Sequence, residues 1–377
     1  MKVGILTIYG GSNFGNKLQN YALQQFLKSE NIESETIRYT VSLGKKKLTK
    51  KEKIKLLKKK YFSQGLLETF WNMKLIAGAK FHKEELDQKA KERNCKFEHF
   101  EKQNIALSDL VIQNRDELRD YCSKYDAVIV GSDQVWNPYW QGSLDEFFLD
   151  FVPKQKRIAY APSIGVSAIP EEQQERFKTR LNGFSRLSCR EIQGCNLIES
   201  FTNNECKHVC DPVFLLSPEQ WKDKAHPIEG KYIVTYFLGG QSREVHQEVK
   251  RYAKENHCKI IDLWSEKDFT SSYAGVEEFL NYIAGAKMFF TDSFHGCAFA
   301  ILLNTQFVIC ERKVVDAKQK MNSRLDSLME ILSIKERKLE EFRRVPTTIN
   351  YDEIHTRLLP WVEQSREYLR DCLADAQ

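Results

Sequence analysis

The sequence predicts an α/β protein: two Rossmann-like domains built on parallel sheets and facing a cleft, with a helical insertion in the first. Three observations predict it. Short apolar, β-rich runs end in glycine or small polar loops, and segments of helical spacing follow them. The rhythm occurs twice, before and after residue 218. The chain has 377 residues, which suits two domains of roughly 150–200 residues better than one core.

The first unit opens the first half. Residues 2–9, KVGILTIY, read as a strand and end at Gly10-Gly11. Their apolar stretch is short and lacks a small-residue cleavage site, so it reads as a strand and not as a signal peptide. From Asn16 the pattern turns helical, with Leu18, Tyr21, Ala22, Gln25 and Phe26 at three- and four-residue spacing. Residues 34–40 are the next strand, completing the opening of a βαβ unit. Residues 44–100 break the rhythm and read as the insertion. They are lysine-rich and helical, with Leu56, Leu57, Tyr61, Phe62, Leu66, Leu67, Phe70 and Trp71 on the apolar side. Strands resume at 126–133 and 157–165, a helix follows at 171–184, and 186–191 and 207–216 close the half.

The second half repeats the scheme. Strands are expected at 231–240, 258–264, 287–296 and 306–312, and helices at 243–257, 276–286 and 297–304. A helix over 351–373 holds Trp361 and Leu369. The expected domains are therefore 1–217, 218–345, and a C-terminal segment 346–377 that crosses back to the first domain. Strand-end loops of two such halves converge on a shared crevice, where open α/β sheets bind ligands.

Composition narrows the classes. With 42% hydrophobic and 29% charged residues the chain is a folded globular protein and not a disordered one. No stretch approaches 18 apolar residues, which excludes a membrane-spanning helix. The ten cysteines are scattered without a CxxC, which reads as reduced, buried thiols in a cytoplasmic protein and not as a metal site. The net charge of +5 is mild, but residues 45–60 hold ten lysines and one glutamate. That run reads as a solvated helix face, or as a basic surface resting on the inner face of an anionic membrane. It lacks interleaved aromatics, so no nucleic-acid partner is expected.

Four strand-end loops could carry chemistry. Residues 10–16, GGSNFGN, offer glycines and a helix start that can receive an anion, and equally read as a tight turn. Ser132, Asp133, Gln134, Trp136 and Asn137 combine hydrogen-bonding side chains with an indole, the pairing that sugar sites use; the other reading is a loop held by its own Asp and Asn bonds. Arg190, in SCRE, can fork a carboxylate or phosphate, or pair with Glu191. His295, in TDSFHG, stands where a strand yields to a helix, and imidazole is the side chain best suited to trade a proton near neutral pH.

The loops GGSNFGNKLQNYAL, VGSDQVWNP, YAPSIG, SCRE, CDPVFLL and TDSFHGCAFAILL, in this order, resemble the polysaccharide pyruvyl transferase family. The resemblance runs to about residue 330, includes NSRLDSLMEIL at 322–332, and leaves 44–100 uncovered. It implies a GT-B-like fold and transfer of a pyruvyl group from phosphoenolpyruvate to a sugar as a ketal, with no cofactor and no metal. The acceptor implied is a sugar of a surface polysaccharide or of its lipid-linked precursor. The family's histidine matches His295 and its donor-binding arginine matches Arg190. Gly11, Asn13, Gly15, Asn16, Ser293 and Gly296 then fall to the donor. Many members carry arginine-leucine before the histidine, where this chain has Ser293-Phe294, so Arg312 or Arg324 is expected to supply the missing cation. Ser132, Asp133, Gln134, Trp136 and Asn137 fall to the acceptor. Two other readings stand beside this one: a GT-B-type glycosyltransferase using a nucleotide sugar, and an inactive binding member of the fold.

Overall fold

The computed structural model describes residues 1–40, 78, 81–139, 145–265, 271–312 and 323–376. The lysine run 45–60, and with it the expected membrane contact, lies outside the described residues, as do the apolar positions 56–71.

The first half runs β1 (Lys2–Leu6), α1 (Phe14–Ser29), β2 (Glu33–Tyr39), α2 (Lys83–Asn104), β3 (Leu107–Ile112), α3 (Arg115–Cys122), β4 (Ala127–Val130) and β5 (Arg157–Ala159). These strands form one parallel sheet in the order β3-β2-β1-β4-β5. All four residues of β4 are buried, as are Val3, Ile5 and Leu6 of β1. Strands covered on both faces need such unbroken apolar runs. After α4 (Glu171–Leu181) a two-stranded parallel sheet follows, β6 (Leu187–Cys189) and β7 (Cys206–His208), linked by α5 (Ile192–Glu199). A 3-10 turn at Pro212–Leu215 and α6 (Pro218–Lys224) lead to the second half.

That half runs β8 (Tyr232–Tyr236), α7 (Arg243–Glu255), β9 (Lys259–Asp262), α8 (Val276–Gly285), β10 (Phe289–Thr291), α9 (Phe294–Leu302) and β11 (Phe307–Ile309). Its sheet is also parallel, in the order β11-β10-β8-β9. Helices α10 (Ser323–Leu332), α11 (Leu339–Arg344) and α12 (Tyr351–Asp375) complete the chain. Parallel sheets with crossover helices in both halves are the α/β architecture that the rhythm predicts. The strands are shorter than expected, however. The runs 2–9, 126–133 and 157–165 leave their sheet at Leu6, Val130 and Ala159, so their polar ends are loops.

The end of the expected insertion is part of the fold. Helix α2 is the crossover between β2 and β3, and it buries Leu86, Arg93, Phe97 and Phe100. Phe97 packs on Phe14, whose ring stacks on Phe279 of α8 at 4.4 Å and meets Tyr236 of β8 at 5.2 Å. Phe14 thus stitches the halves together, and one hydrophobic core contains residues of both. Burial of such a ring stabilises by about 1.5–3 kcal/mol.

Helix α12 spans the halves. Near its start, His355 meets Asn304 in the loop after α9. Further along, Trp361 Nε1 donates to His208 O at 3.2 Å, Cys210 N–H donates to Ser365 Oγ at 2.8 Å, and Tyr368 OH donates to Ala159 O at 3.1 Å. No helix among the described residues is long and apolar enough to cross a membrane. The cysteines are unbridged.

Candidate active site

The strand-end loops of both halves meet at Asp211, in the loop that follows β7. The carboxylate caps the turn at Pro212–Leu215, with Oδ1 accepting from Val213 N–H at 3.1 Å. Oδ2 accepts from Arg190 Nη1 at 2.5 Å and from Ser132 Oγ at 3.0 Å, and His295 Nε2 stands 3.3 Å away. Asp211 is fully buried, Arg190 is 1% exposed and His295 7%. A buried charge persists only when paired. Burial alone would raise the Asp211 carboxyl; His295 and Arg190 outweigh it and hold the group well below the usual carboxylate range. Burial likewise opposes the Arg190 charge, but Asp211, Asp133 and Glu191 keep the guanidinium ionised.

Local sequence explains how each group arrives. β4 ends at Gly131, whose φ is +117° and where a Cβ would stand 2.1 Å from Tyr160 O, so glycine alone fits. Ser132 follows, held by Gln19 Oε1, which accepts its N–H at 3.2 Å. Arg190 ends β6. Its guanidinium lies over the Phe294 ring at 4.7 Å, and its carbonyl accepts from His208 Nε2 at 3.1 Å. His295 sits in the first turn of α9, capped by Ser293, whose Oγ accepts from Gly296 N–H at 3.2 Å. Its imidazole lies against Gly15 at the start of α1, where a Cβ would be 1.9 Å from Nδ1.

A second guanidinium joins the cluster. Arg324, in the first turn of α10, is 6% exposed, and its Nη1 lies 3.9 Å from Asp133 Oδ1. Arg190 Nη2 approaches the same oxygen to 3.5 Å. The Gln134 amide lies between Asn137 and Arg324; with its oxygen turned to the cation it accepts from Nη1 and Nη2 at 3.3 and 2.9 Å. Burial, and then the Arg190 charge, push the Arg324 guanidinium down to about 10. Asp133 is held low, its burial outweighed by Arg190, His295 and Arg324. Nε and Nη2 of Arg190 and Nε of Arg324 are buried without a hydrogen-bond partner among the described residues. An unmet buried donor costs about 1–3 kcal/mol, more when charged. The arrangement is suited to an anion with several acceptor oxygens.

The other expected residues fall elsewhere or do structural work. Trp136 is not open to a sugar: it is fully buried, stacked on Phe148 at 5.3 Å, with Nε1 donating to Phe147 O. Ser132 is likewise buried, its single hydroxyl proton placed between Asp211 Oδ2 and Ala161 O. Asn137 lies under the loop, accepting from Tyr139 N–H and facing the Gln134 amide. Asp133 and Gln134 stand with the guanidiniums and not in a separate acceptor subsite. Asn13 caps α1, accepting from Asn16 N–H at 3.1 Å, which uses one of the helix-start donors expected for an anion. Gly11 is exposed. Gly296 packs on Thr291 Oγ1. Arg312 approaches Asp292 Oδ2 at 3.5 Å, and Asp292 is anchored by the Leu238 and Gly239 N–H groups. Arg324, not Arg312, is the cation beside Arg190. The residue that sequence reasoning missed is Asp211. Its signal was an aspartate before proline inside CDPVFLL.

The family model described as polysaccharide pyruvyl transferase matches residues 13–313. No curated protein matches. Among solved structures, the chain is similar to a UDP-GlcNAc 2-epimerase from Neisseria meningitidis bound to UDP-GlcNAc, at 10% identity and a TM-score of 0.43, covering 96% of this chain and 99% of that one. It is also similar to the UDP-GlcNAc 2-epimerase of Methanocaldococcus jannaschii, at 12% identity and a TM-score of 0.41, covering 95% and 92%. Similarity to Acinetobacter baumannii MurG is 9% in identity with a TM-score of 0.37, covering 100% and 94%.

Proposed function

Since this chain belongs to the polysaccharide pyruvyl transferase family, whose model matches residues 13–313, we propose that it moves a pyruvyl group from phosphoenolpyruvate onto a sugar of a surface polysaccharide or its lipid-linked precursor. Membership makes it a transferase acting on a polysaccharide. The donor, the residue roles and the ketal chemistry are the proposal.

The observation that carries it is the pair of buried guanidiniums, Arg190 from the first half and Arg324 from the second, with three N–H-bearing nitrogens that have no hydrogen-bond partner among the described residues, beside His295. Phosphoenolpyruvate carries a carboxylate and a phosphate on adjoining atoms and supplies acceptors to both. Arginine forks match such oxygens in pairs.

In this reading the guanidiniums hold the donor and His295 delivers a proton to its methylene carbon, which becomes the methyl group. The adjoining carbon turns electrophilic and one sugar hydroxyl adds to it. The bond to the phosphate oxygen breaks and inorganic phosphate leaves. The neighbouring hydroxyl adds to the same carbon and closes the ketal. Of the two hydroxyl protons released, one restores His295 and the other leaves with phosphate. Acid–base help of this kind contributes roughly 10²–10⁴ in rate. The scheme uses no cofactor.

The test is phosphate release from phosphoenolpyruvate in the presence of candidate sugars, with calorimetric binding of the donor alone. Donor binding and turnover, both abolished by Arg190→Ala and turnover by His295→Ala, are expected. Saturable binding of a nucleotide sugar with none of phosphoenolpyruvate would install the glycosyltransferase reading. Tight binding of the donor without turnover on any acceptor would make the chain a binding member.

For a lipid-linked acceptor the lysine run 45–60 would rest on an anionic membrane surface, each lysine contributing about 1 kcal/mol. Co-sedimentation with anionic vesicles at low salt, lost on neutral vesicles, is expected; absence from both removes the membrane from the proposal.

A further inference from the structure

We propose that Asp211 is the positioning residue of this site: a single oxygen of its carboxylate sets Arg190 and His295, which come from different halves of the chain, onto the same ligand. The role in turnover rests on the reading of those two residues given above; the alignment itself rests on geometry.

Asp211 Oδ1 is committed to the Val213 N–H, which anchors the carboxylate to the turn that follows. Oδ2 then faces Arg190 Nη1, Ser132 Oγ and His295 Nε2. These arrive from β6, from the loop after β4 and from α9. A buried carboxylate held at both oxygens has no freedom to follow a moving partner, so the partners are fixed by it. Two consequences follow for what each partner offers a ligand.

The first concerns Arg190. Nη1 is turned to the carboxylate and a guanidinium face is covered by Phe294, which leaves Nε and Nη2 as donors with no hydrogen-bond partner among the described residues. The second concerns His295. Nε2 stands 3.3 Å from Asp211 Oδ2 without the angle of a formed hydrogen bond; turned to that acceptor, the neutral ring carries its N–H on Nε2 and its lone pair on Nδ1. A carboxylate fixes a histidine tautomer in this way. Nδ1 is the nitrogen beside Gly15. The proton that His295 trades is therefore carried on Nδ1, whose flank toward α1 is closed by Gly15, so a ligand reaches it from a side that Gly15 leaves open.

The experiment is nitrogen-15 spectroscopy of the ligand-free full chain labelled at histidine, with the His295 signals assigned by their loss in His295→Gln. The wild-type neutral ring is expected to show a protonated Nε2 and an unprotonated Nδ1. In Asp211→Asn, checked for folding by circular dichroism, the tautomer preference is expected to be lost. Turnover per folded molecule is expected to fall about 10²- to 10⁴-fold, as when a histidine loses the carboxylate that orients it. A wild-type ring protonated on Nδ1 overturns the proposal, and so does an unchanged tautomer in folded Asp211→Asn. The wild-type measurement stands alone if the variant does not fold. Failure of the wild-type chain to bind or turn over phosphoenolpyruvate would strike the functional reading and leave the tautomer result to decide the alignment.

Discussion

Gly15 and His295, 280 positions apart, touch so closely that a β-carbon on the glycine would lie 1.9 Å from Nδ1 and 2.5 Å from Cε1 of the ring. No side chain fits there unless the imidazole moves. Gly15→Ala is therefore expected to fold, because the helix start tolerates alanine, and to lose turnover by at least about 10²-fold, since a misplacement of about 1 Å costs that much. Steady-state rates beside a thermal melt check it: near-normal melting with lost turnover is the expected pair.

The two guanidiniums should be separable. Arg324→Gln leaves Arg190 paired with Asp211 and removes one cation from the anion site. The dissociation constant for phosphoenolpyruvate is expected to rise about tenfold, equivalent to about 1.4 kcal/mol. Calorimetric titration of donor into wild type and variant measures it, and unchanged affinity would remove Arg324 from the donor site.

Phe14 joins the halves, with no exposed surface and rings of Phe97, Tyr236 and Phe279 around it. Phe14→Ala is expected to cost about 3–5 kcal/mol, the range for an emptied aromatic core position. Urea unfolding curves check the value. A loss well under 1 kcal/mol would mean that the halves hold together without it.

His208 makes the fold sensitive to acid. Burial pushes its imidazole down to about 4, partly offset by its bond to Arg190 O. The unfolded chain takes up this proton near its ordinary value of about 6.5, while the folded chain refuses it until about 4. The stabilisation is complete above that unfolded value and is lost as pH falls toward 4. From pH 7 to pH 5 the loss is about 2 kcal/mol. Denaturation midpoints at the two pH values measure it, and His208→Gln should flatten this part of the profile.

Much of the architecture was legible because parallel strands covered on both faces announce themselves as apolar runs, and AVIV at 127–130 and YIVTY at 232–236 do so plainly. Arg190 and His295 stood out as polar residues where a strand ends or a helix begins, and Arg324 only as a replacement, with Arg312, for the cation that the family resemblance implies. What failed was the distinction between a polar loop that faces a ligand and one that faces itself. Trp136 reads as a sugar platform from its neighbours, but only the packing reveals that Phe148 stacks on the indole, Phe184 meets it edge-on and no surface is left exposed. Ser293 reads as a lost arginine, and its hydroxyl proves to be a helix cap. Asp211 was hidden inside the largely apolar run, 207–216, that closes the first half. Helix α2 read as part of a helical insertion, and its role as a packed crossover was hidden by its charges, since its buried stripe includes an arginine, Arg93, lying over aromatic rings.

Helix α12 sets the order in which the molecule can mature. Trp361 stacks on His208 at 5.0 Å and Ser365 receives the Cys210 N–H, so the shelf beneath Asp211 is completed by residues the ribosome adds about 150 positions later. A nascent chain can form the five-stranded sheet early. It must then wait, with that shelf exposed, until this stretch emerges and closes over it. Competence is thus gained late in synthesis and all at once.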